Sequence, residues 1–189
     1  MALYFVTGND DKFFEIKRIL DKIGIDLKQS KINIVEKKYD TEKEVSIGKA
    51  LAAVKQLNAP VIVEDTGIYF EDYNNFPGPN AHVFFDGVGH EGVLKILEGK
   101  KRGAYFRTSV AFCKPGSNPV CFIGECKGQI AEKISDVIDF AYDSLFVPDG
   151  DKRTFSEMTK EEKDKFSHRR KAIEEFIKWY GETQLNEKA

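Results

Sequence analysis

The sequence has little of the residue types that mark disulfide-bonded and zinc-binding proteins. It contains only three cysteines, at positions 113, 121 and 126, and no C-x-x-C pair. An odd number of cysteines with this spacing predicts reduced thiols in a cytoplasmic protein. The three histidines are scattered along the chain and form no zinc-ligand pattern.

Long apolar runs and an excess of one charge are also absent. No run approaches the ~20 apolar residues that span a bilayer, so we expect no membrane partner. The chain carries 29 basic and 31 acidic residues, a net charge of -2. Because a duplex nucleic-acid binder depends on a concentrated basic face, we expect no duplex nucleic acid as a partner. The 15 phenylalanines and 7 tyrosines are instead enough to build a sizeable core.

Alternating helix and strand signals predict an α/β protein with a mixed sheet. The apolar runs predict strands over residues 3–7, 30–35, 60–63, 105–113 and 120–126, with residues 68–70 and 127–134 extending the sheet and a loop over 74–80. Helical spacing and capping residues predict helices up to Gly24, over 41–57 and 91–98, from Thr159, and over 167–180. The polar segment 181–189 is predicted to be a frayed tail.

A first candidate site lies in Thr7-Gly8-Asn9-Asp10-Asp11-Lys12, where a strand passes through glycine into a helix. Free amide groups at a helix start attract phosphate, and Lys12 adds a positive charge. The spacing is not that of a P-loop. The same residues also suit an ordinary capped helix with a solvated lysine.

A second candidate site follows the buried strand, in Glu64-Asp65-Thr66-Gly67. Open α/β sheets bind ligands at the carboxyl ends of their strands, where a carboxylate can hold Mg²⁺ or orient a water molecule. Because neighbouring strand residues point to opposite faces, we expect only one of the two acids to face a pocket. A simple boundary between strand and turn is the alternative.

Two further clusters lie near the C-terminus. The aromatic residues of segment 140–146 suit one face of a strand, or a platform that stacks a base beside Asp143. The cationic and polar side chains of Lys163 and of residues 167–170 gather near a helix start, where the dipole disfavours positive charge. A bound anion or polar ligand would relieve that conflict, whereas a solvated basic stretch is the alternative.

In this order, the clusters resemble the motifs of the inosine triphosphate pyrophosphatase family, from Phe5 to about Trp179. The matching segments are T-G-N-x-x-K at 7–12, E-D-[ST]-G at 64–67, F-P-G-P at 76–79, an F-G-[YW]-D-P-x-F variant at 140–146, E-M and E-K within 157–163, and S-H-R at 167–169. Each motif is weak alone, but their order and spacing make the set specific. The pattern is most similar to the short archaeal and eukaryotic members.

The resemblance implies one domain over 1–189, an elongated mixed β-sheet with helices packed around it and two lobes flanking a central substrate cleft. It implies hydrolysis of nonstandard purine nucleoside triphosphates such as ITP, dITP and XTP to the monophosphate and pyrophosphate. That reaction removes deaminated purines from the nucleotide pool. It also implies a homodimer and dependence on Mg²⁺, with Mn²⁺ as a substitute.

The family also implies roles for individual residues. Asp65 is the catalytic carboxylate, which orients the attacking water, binds Mg²⁺, or does both. A further metal-binding glutamate is assigned to Glu36, with Glu44 as the alternative that already has a role as a helix cap. The implied substrate-binding residues are Thr7, Gly8, Asn9, Lys12, Lys49, Thr66, Phe140, Tyr142, Asp143, Lys163, His168 and Arg169.

Within this set, the first residues grip the triphosphate, Lys49 reaches the substrate from a helix, and Phe140 stacks on the base. Donors such as His168 and Arg169 pair with the 6-keto oxygen of hypoxanthine. An adenine amino group would leave these donors unpaired, which is a physical basis for selectivity.

The sequence departs from the family pattern in two segments. Ala141 stands where the motif has glycine and Ser144 where it has proline, and residues 80–82 also differ. These changes motivate a second hypothesis, a nucleotide-binding or sensing module with vestigial hydrolysis.

Overall fold

The computed structural model describes residues 2–34, 40–138 and 141–186. In this part of the chain, the strands are β1 (Leu3–Val6), β2 (Leu27–Ser30), β3 (Val61–Phe70), β4 (Phe76–Gly78), β5 (Gly103–Cys113), β6 (Val120–Ile130) and β7 (Phe146–Pro148). The α-helices are α1 (Asp10–Asp21), α2 (Glu42–Leu57), α3 (Ala81–Ile96), α4 (Lys160–Asp164) and α5 (His168–Asn186). Short 3₁₀ turns cover Glu71–Tyr73, Ala141–Ser144 and Phe155–Glu157.

The strands form a seven-stranded sheet in the order β2-β1-β3-β5-β6-β7, with β4 paired to β3. Strand β1 is parallel to both β2 and β3, whereas β4 is antiparallel to β3 and β7 is antiparallel to β6. Both kinds of pairing occur in one sheet, so the predicted α/β class with a mixed sheet is confirmed. No helix among the described residues is long and apolar enough to cross a membrane.

The chain divides into two compact units. Unit 1 comprises Met1–Asp65, Thr108–Gly124 and Arg169–Ala189, and unit 2 comprises Thr66–Arg107 and Glu125–His168. In unit 1, alternate residues of β1 enter two core clusters, because successive strand side chains point to opposite faces. Unit 2 has its own core, rich in buried aromatic rings.

Side-chain caps explain where several helices begin. Thr41 and Glu44 form a capping box at the start of α2, as predicted, and Thr159 and Glu162 form one at the start of α4. The cap role assigned to Glu44 is therefore confirmed. A further box, between Thr154 and Glu157, precedes the 3₁₀ turn at Phe155–Glu157 and was not predicted.

Several predicted boundaries were wrong. The second strand is Leu27–Ser30 rather than 30–35, and β3 runs through Glu64 to Gly67 without ending there. The loop predicted over 74–80 contains β4, and the helix predicted over 91–98 begins at Ala81. Helix α5 extends to Asn186, beyond the predicted helix end at 180.

Candidate functional site

The turn from β1 into α1 is ordered by its own polar side chains. Thr7 Oγ1 accepts a hydrogen bond from the Asn9 amide at 3.1 Å, and Asn9 Oδ1 accepts one from the Lys12 amide at 3.0 Å. Asn9 is thus the N-cap of α1. Both side chains keep donor hydrogens, the Thr7 hydroxyl and the Asn9 amide group, that can reach a ligand. A Cβ built on Gly8 would meet no heavy atom within 4 Å, so the backbone there is accessible.

Two neighbouring carboxylates of β3 each bind a cation from a helix. Glu64 Oε2 lies 2.7 Å from Lys12 Nζ of α1, and Asp65 Oδ1 lies 3.0 Å from Lys49 Nζ of α2. Glu64 and Asp65 are adjacent in the strand, so their side chains leave it on opposite faces. Lys12, predicted to grip the triphosphate, and Lys49, predicted to reach the substrate, are therefore both found beside the predicted acidic pair, in unit 1.

Asp65 is electrostatically the most unusual group of this site. The pKa of Asp65 is raised from 3.8 to about 6, mainly by burial of its side chain and also by the neighbouring Glu64 charge, although Lys49 and Lys12 oppose the shift. Its Oδ2 atom is buried and has no hydrogen-bond partner among the described residues. A buried acceptor of this kind suits a water molecule or a metal ion as its partner.

Arg169 lies beside these acidic residues of unit 1. At the start of α5, its Nε and Nη2 atoms lie 3.3 Å from Glu64 Oε1, and its Nη1 lies 2.6 Å from Glu15 Oε2. Lys12 and Glu15 are three residues apart on α1 and so share one helix face. Glu15 was not predicted as a site residue, although its helical spacing from Lys12 was a signal that could have identified it.

A second group of the predicted residues lies together in unit 2. Lys163 Nζ forms a hydrogen-bonded ion pair with the buried carboxylate of Asp143 and lies 5.3 Å from the centre of the Phe155 ring. The His168 ring stacks on Phe106 with ring centres 4.7 Å apart. Phe106 and Phe155 were not predicted as site residues, because neither belongs to one of the recognised sequence motifs.

Tyr142 has a structural role that the sequence did not predict. Its ring is buried in the unit 2 core, and its hydroxyl donates a hydrogen bond of 2.8 Å to the Ala81 carbonyl. Residues Ala141–Ser144 form a 3₁₀ turn, not the alternating strand considered from the sequence. Ala141 has φ +43, a left-handed conformation that favours glycine, which explains why a motif would carry glycine there.

The predicted site residues Glu36 and Phe140 lie outside the described residues. Thr66 follows Asp65 in β3 and is the first residue of unit 2. Over the described ranges, no three His, Cys, Asp or Glu side chains cluster closely enough to hold a metal ion by themselves. All three cysteines are free thiols in the structure.

Comparison with known proteins identifies the family of the chain. The model of the Ham1 family matches residues 3–179. The chain belongs to the Ham1 family. Among its relatives, the dITP/XTP pyrophosphatase of Methanopyrus kandleri is 43% identical over 95% of this chain and 96% of its own length. The inosine triphosphate pyrophosphatase of Yarrowia lipolytica is 40% identical over 92% and 93%. The resemblance seen in the sequence motifs is therefore confirmed.

Solved Ham1 structures share the fold. A HAM1 protein from Coxiella burnetii superposes with a TM-score of 0.84 at 25% identity, covering 96% of this chain and all of that one. The Ham1 protein of Staphylococcus aureus gives a TM-score of 0.81, also at 25% identity, over 97% of this chain. The mixed α/β architecture is thus that of the Ham1 family.

Proposed function

We propose that this protein hydrolyses nonstandard purine nucleoside triphosphates, ITP, dITP and XTP, to the monophosphate and pyrophosphate. Relatives named dITP/XTP pyrophosphatase or inosine triphosphate pyrophosphatase, 34–43% identical over more than nine-tenths of the chain, support this activity. Such an enzyme removes deaminated purines from the nucleotide pool. The relatives favour it over a binding module with vestigial hydrolysis.

The observation that carries the proposal is the pairing of adjacent β3 carboxylates with Lys12 and Lys49. A triphosphate brings several negative charges, and both lysines can turn from a carboxylate to a phosphate oxygen without leaving the site. Asn9 and Thr7 add donors at the start of α1, where the helix dipole favours an anion. Arg169 keeps Glu64 partly neutralised when Lys12 turns to the phosphate.

Asp65 is the residue proposed to act on the attacking water. In its ionised form it accepts a hydrogen bond from the water and directs the water oxygen toward phosphorus. Because burial raises its pKa to about 6, the carboxylate is a stronger base than an exposed aspartate and is still ionised near neutral pH. No nucleophilic serine or cysteine is required for this reaction.

The same residues suit Mg²⁺, with Mn²⁺ as a substitute. Magnesium is commonly held by one or two carboxylates together with substrate phosphates, and Asp65 offers a buried oxygen without a hydrogen-bond partner in the described part of the chain. Glu36 is proposed as the second protein ligand. When bound, the ion stabilises the negative charge that develops on the phosphate oxygens.

Base recognition is assigned to the group in unit 2. Lys163 and His168 supply donors for the 6-keto oxygen of hypoxanthine or xanthine, and Asp143 holds Lys163 in place. Phe140 is proposed to stack on the base. An adenine amino group would leave the donors unpaired, a mismatch of about 1–3 kcal/mol for each buried group. Arg169 is also proposed as a base-recognition donor, and its ion pair with Glu64 connects it to the acidic pair of β3.

The cellular setting is proposed from the sequence and the resemblance. Three free thiols support a cytoplasmic enzyme.

A homodimer is proposed by similarity to the inosine triphosphate pyrophosphatases, and analytical ultracentrifugation at micromolar concentration tests it. A single species at 21.5 kDa would contradict the dimer.

A steady-state panel tests the proposed function. ITP, XTP, GTP and ATP are compared with Mg²⁺, and pyrophosphate and orthophosphate are detected separately. We expect pyrophosphate from ITP and XTP far faster than from ATP, loss of activity in EDTA, and recovery on adding Mg²⁺. Orthophosphate as the first product would overturn the cleavage assignment.

A further inference from the structure

The 3₁₀ turn Ala141–Ser144 has a backbone that needs external support. Ala141 has φ +43, a conformation that residues with a Cβ adopt at an energetic cost. The same turn carries Asp143, whose buried carboxylate binds Lys163. A shift of the turn would therefore move a pair that the proposed function assigns to base recognition.

The support comes from two positions in α3. Near the helix start, the Ala81 carbonyl accepts the hydroxyl hydrogen of Tyr142 at 2.8 Å. Further along, His90 Nε2 lies 2.8 Å from the carbonyl oxygen of Ala141, the strained residue itself. A carbonyl oxygen only accepts hydrogen bonds, so His90 Nε2 must carry the hydrogen and donate it.

The local structure around His90 aims its ring at the turn. Gly89 interrupts α3 with φ 63 and ψ -173, a combination that essentially only glycine adopts. The next residue is His90, whose ring meets Phe85 edge to face with centres 4.8 Å apart. Phe85 also packs against Tyr142 at 4.8 Å, so the same aromatic ring contacts the histidine and the turn.

We propose that His90 is a positioning residue that holds the Ala141–Ser144 turn, and thereby Asp143 and Lys163, in the geometry that recognises the purine base. This inference rests on the proposed function and names a residue that none of the sequence motifs includes. Its first part, that His90 holds the turn, is independent of any nucleotide. Its second part, that the held turn sets base recognition, concerns the substrate.

Five variants test the two parts. His90→Leu removes the donor at similar volume, and His90→Gln keeps an N–H donor. His82→Ala is the matched control, because His82 lies on the same helix, is exposed, and pairs with the exposed Asp86 one turn along. Ala141→Gly, alone and combined with His90→Leu, removes the conformational cost that His90 offsets.

Hydrogen exchange of the Leu145 amide tests the first part without nucleotide. This amide donates to the Tyr142 carbonyl at 2.9 Å and so reports on closure of the turn. We expect His90→Leu to raise its exchange rate about tenfold or more, with little change in His90→Gln and His82→Ala. Unchanged exchange in His90→Leu would overturn the proposal. If His90→Leu is unfolded at the assay temperature, His90→Asn, which shortens the side chain, takes its place.

Steady-state kinetics with ITP and ATP test the second part. We expect His90→Leu to raise KM for ITP about tenfold with kcat within about twofold, and to lower the preference for ITP over ATP. Ala141→Gly should restore much of that KM in the double variant, because glycine keeps the left-handed turn without support. Faster Leu145 exchange with unchanged KM would overturn the recognition role. If the wild-type protein does not turn over ITP, the proposed function fails, and the exchange data alone decide whether His90 holds the turn.

Discussion

At the residue scale, Asp65 combines a raised pKa with an ion pair to Lys49. Its ionisation is opposed by burial in the folded protein, whereas the unfolded chain ionises it at about 3.8. The native state therefore binds more protons than the unfolded state between pH 4 and 6, and this group destabilises the fold as the pH rises through that range. The buried Asp65 carboxylate, which is proposed to be catalytic, therefore lowers the free energy of unfolding at neutral pH.

This imbalance predicts that Asp65→Asn raises the stability of the protein at neutral pH. Replacement of the ionised carboxylate by an amide removes a cost of at most about 3 kcal/mol, offset by loss of the Lys49 pair. Urea unfolding in EDTA should show a gap between variant and wild type that opens from pH 4 to pH 6. A gap that is largest at pH 4 would contradict the sign of the pKa shift.

Arg169 gives a second prediction, because it is a nearly buried cation bound to two acids. Arg169→Leu leaves Glu64, whose side chain is 1% exposed, with less compensation, and should cost about 3–5 kcal/mol of unfolding free energy. The control is Arg170→Leu, which removes an exposed i,i+4 pair with Glu174 worth about 0.3–0.5 kcal/mol. Equal losses of unfolding free energy in the two variants would show that the buried ion pairs of Arg169 contribute no more to stability than the exposed pair of Arg170.

At the element scale, the glycines of α3 differ in what they do. Gly89 has φ 63 and ψ -173, whereas Gly87 lies within the regular helix, and a Cβ at either would meet nothing within 4 Å. We expect Gly89→Ala to cost about 1–3 kcal/mol through backbone strain alone. Gly87→Ala should be neutral or stabilise by up to about 1 kcal/mol. Thermal unfolding measures the stability of both variants. A Gly89→Ala protein as stable as wild type would contradict the claim that the backbone at position 89 requires glycine.

The capping boxes predict how the segment from Thr154 to Asp164 responds to acid. Hydrogen bonds from Thr154 lower the pKa of Glu157, and hydrogen bonds from Thr159 and Arg153 lower that of Glu162, both from 4.5. Their contribution to stability is present above pH 4.5 and is lost as the pH falls below it. The double variant Glu157→Gln, Glu162→Gln should lose less stability than wild type between pH 7 and pH 4. An equal loss in urea unfolding would contradict this.

The sequence predicted elements well where the signal was local. The capping box at Thr41 and the apolar run at 61–63 each depend on a few neighbouring residues, and both were placed correctly. The start of α3 was missed because Ala81 begins that helix without a side-chain cap, and Gly89 interrupts it. Strand β3 was predicted to end at Glu64 because charged residues are rarely buried in strands, whereas here Lys12 and Arg169 neutralise that acid.

At the scale of the whole molecule, the motifs identified the family but not the geometry within each site. Lys12, Lys49 and Asp65 were predicted by motif, and the structure brings them together in unit 1. The partners of Arg169 and the contacts of Phe106 join residues far apart in the chain, so no local pattern could reveal them. The same is true of the hydrogen bond between His90 and Ala141.

The central claim is that the Asp65 site of this Ham1 protein releases pyrophosphate from nonstandard purine triphosphates. The most direct measurement is pyrophosphate release from ITP and ATP, with Mg²⁺, by wild type and by Asp65→Asn side by side. We expect rapid release from ITP, slow release from ATP, and a loss of about a thousandfold or more in the folded variant. Near-full activity in Asp65→Asn would remove Asp65 from the mechanism, and equal rates for ITP and ATP would contradict the proposed base recognition.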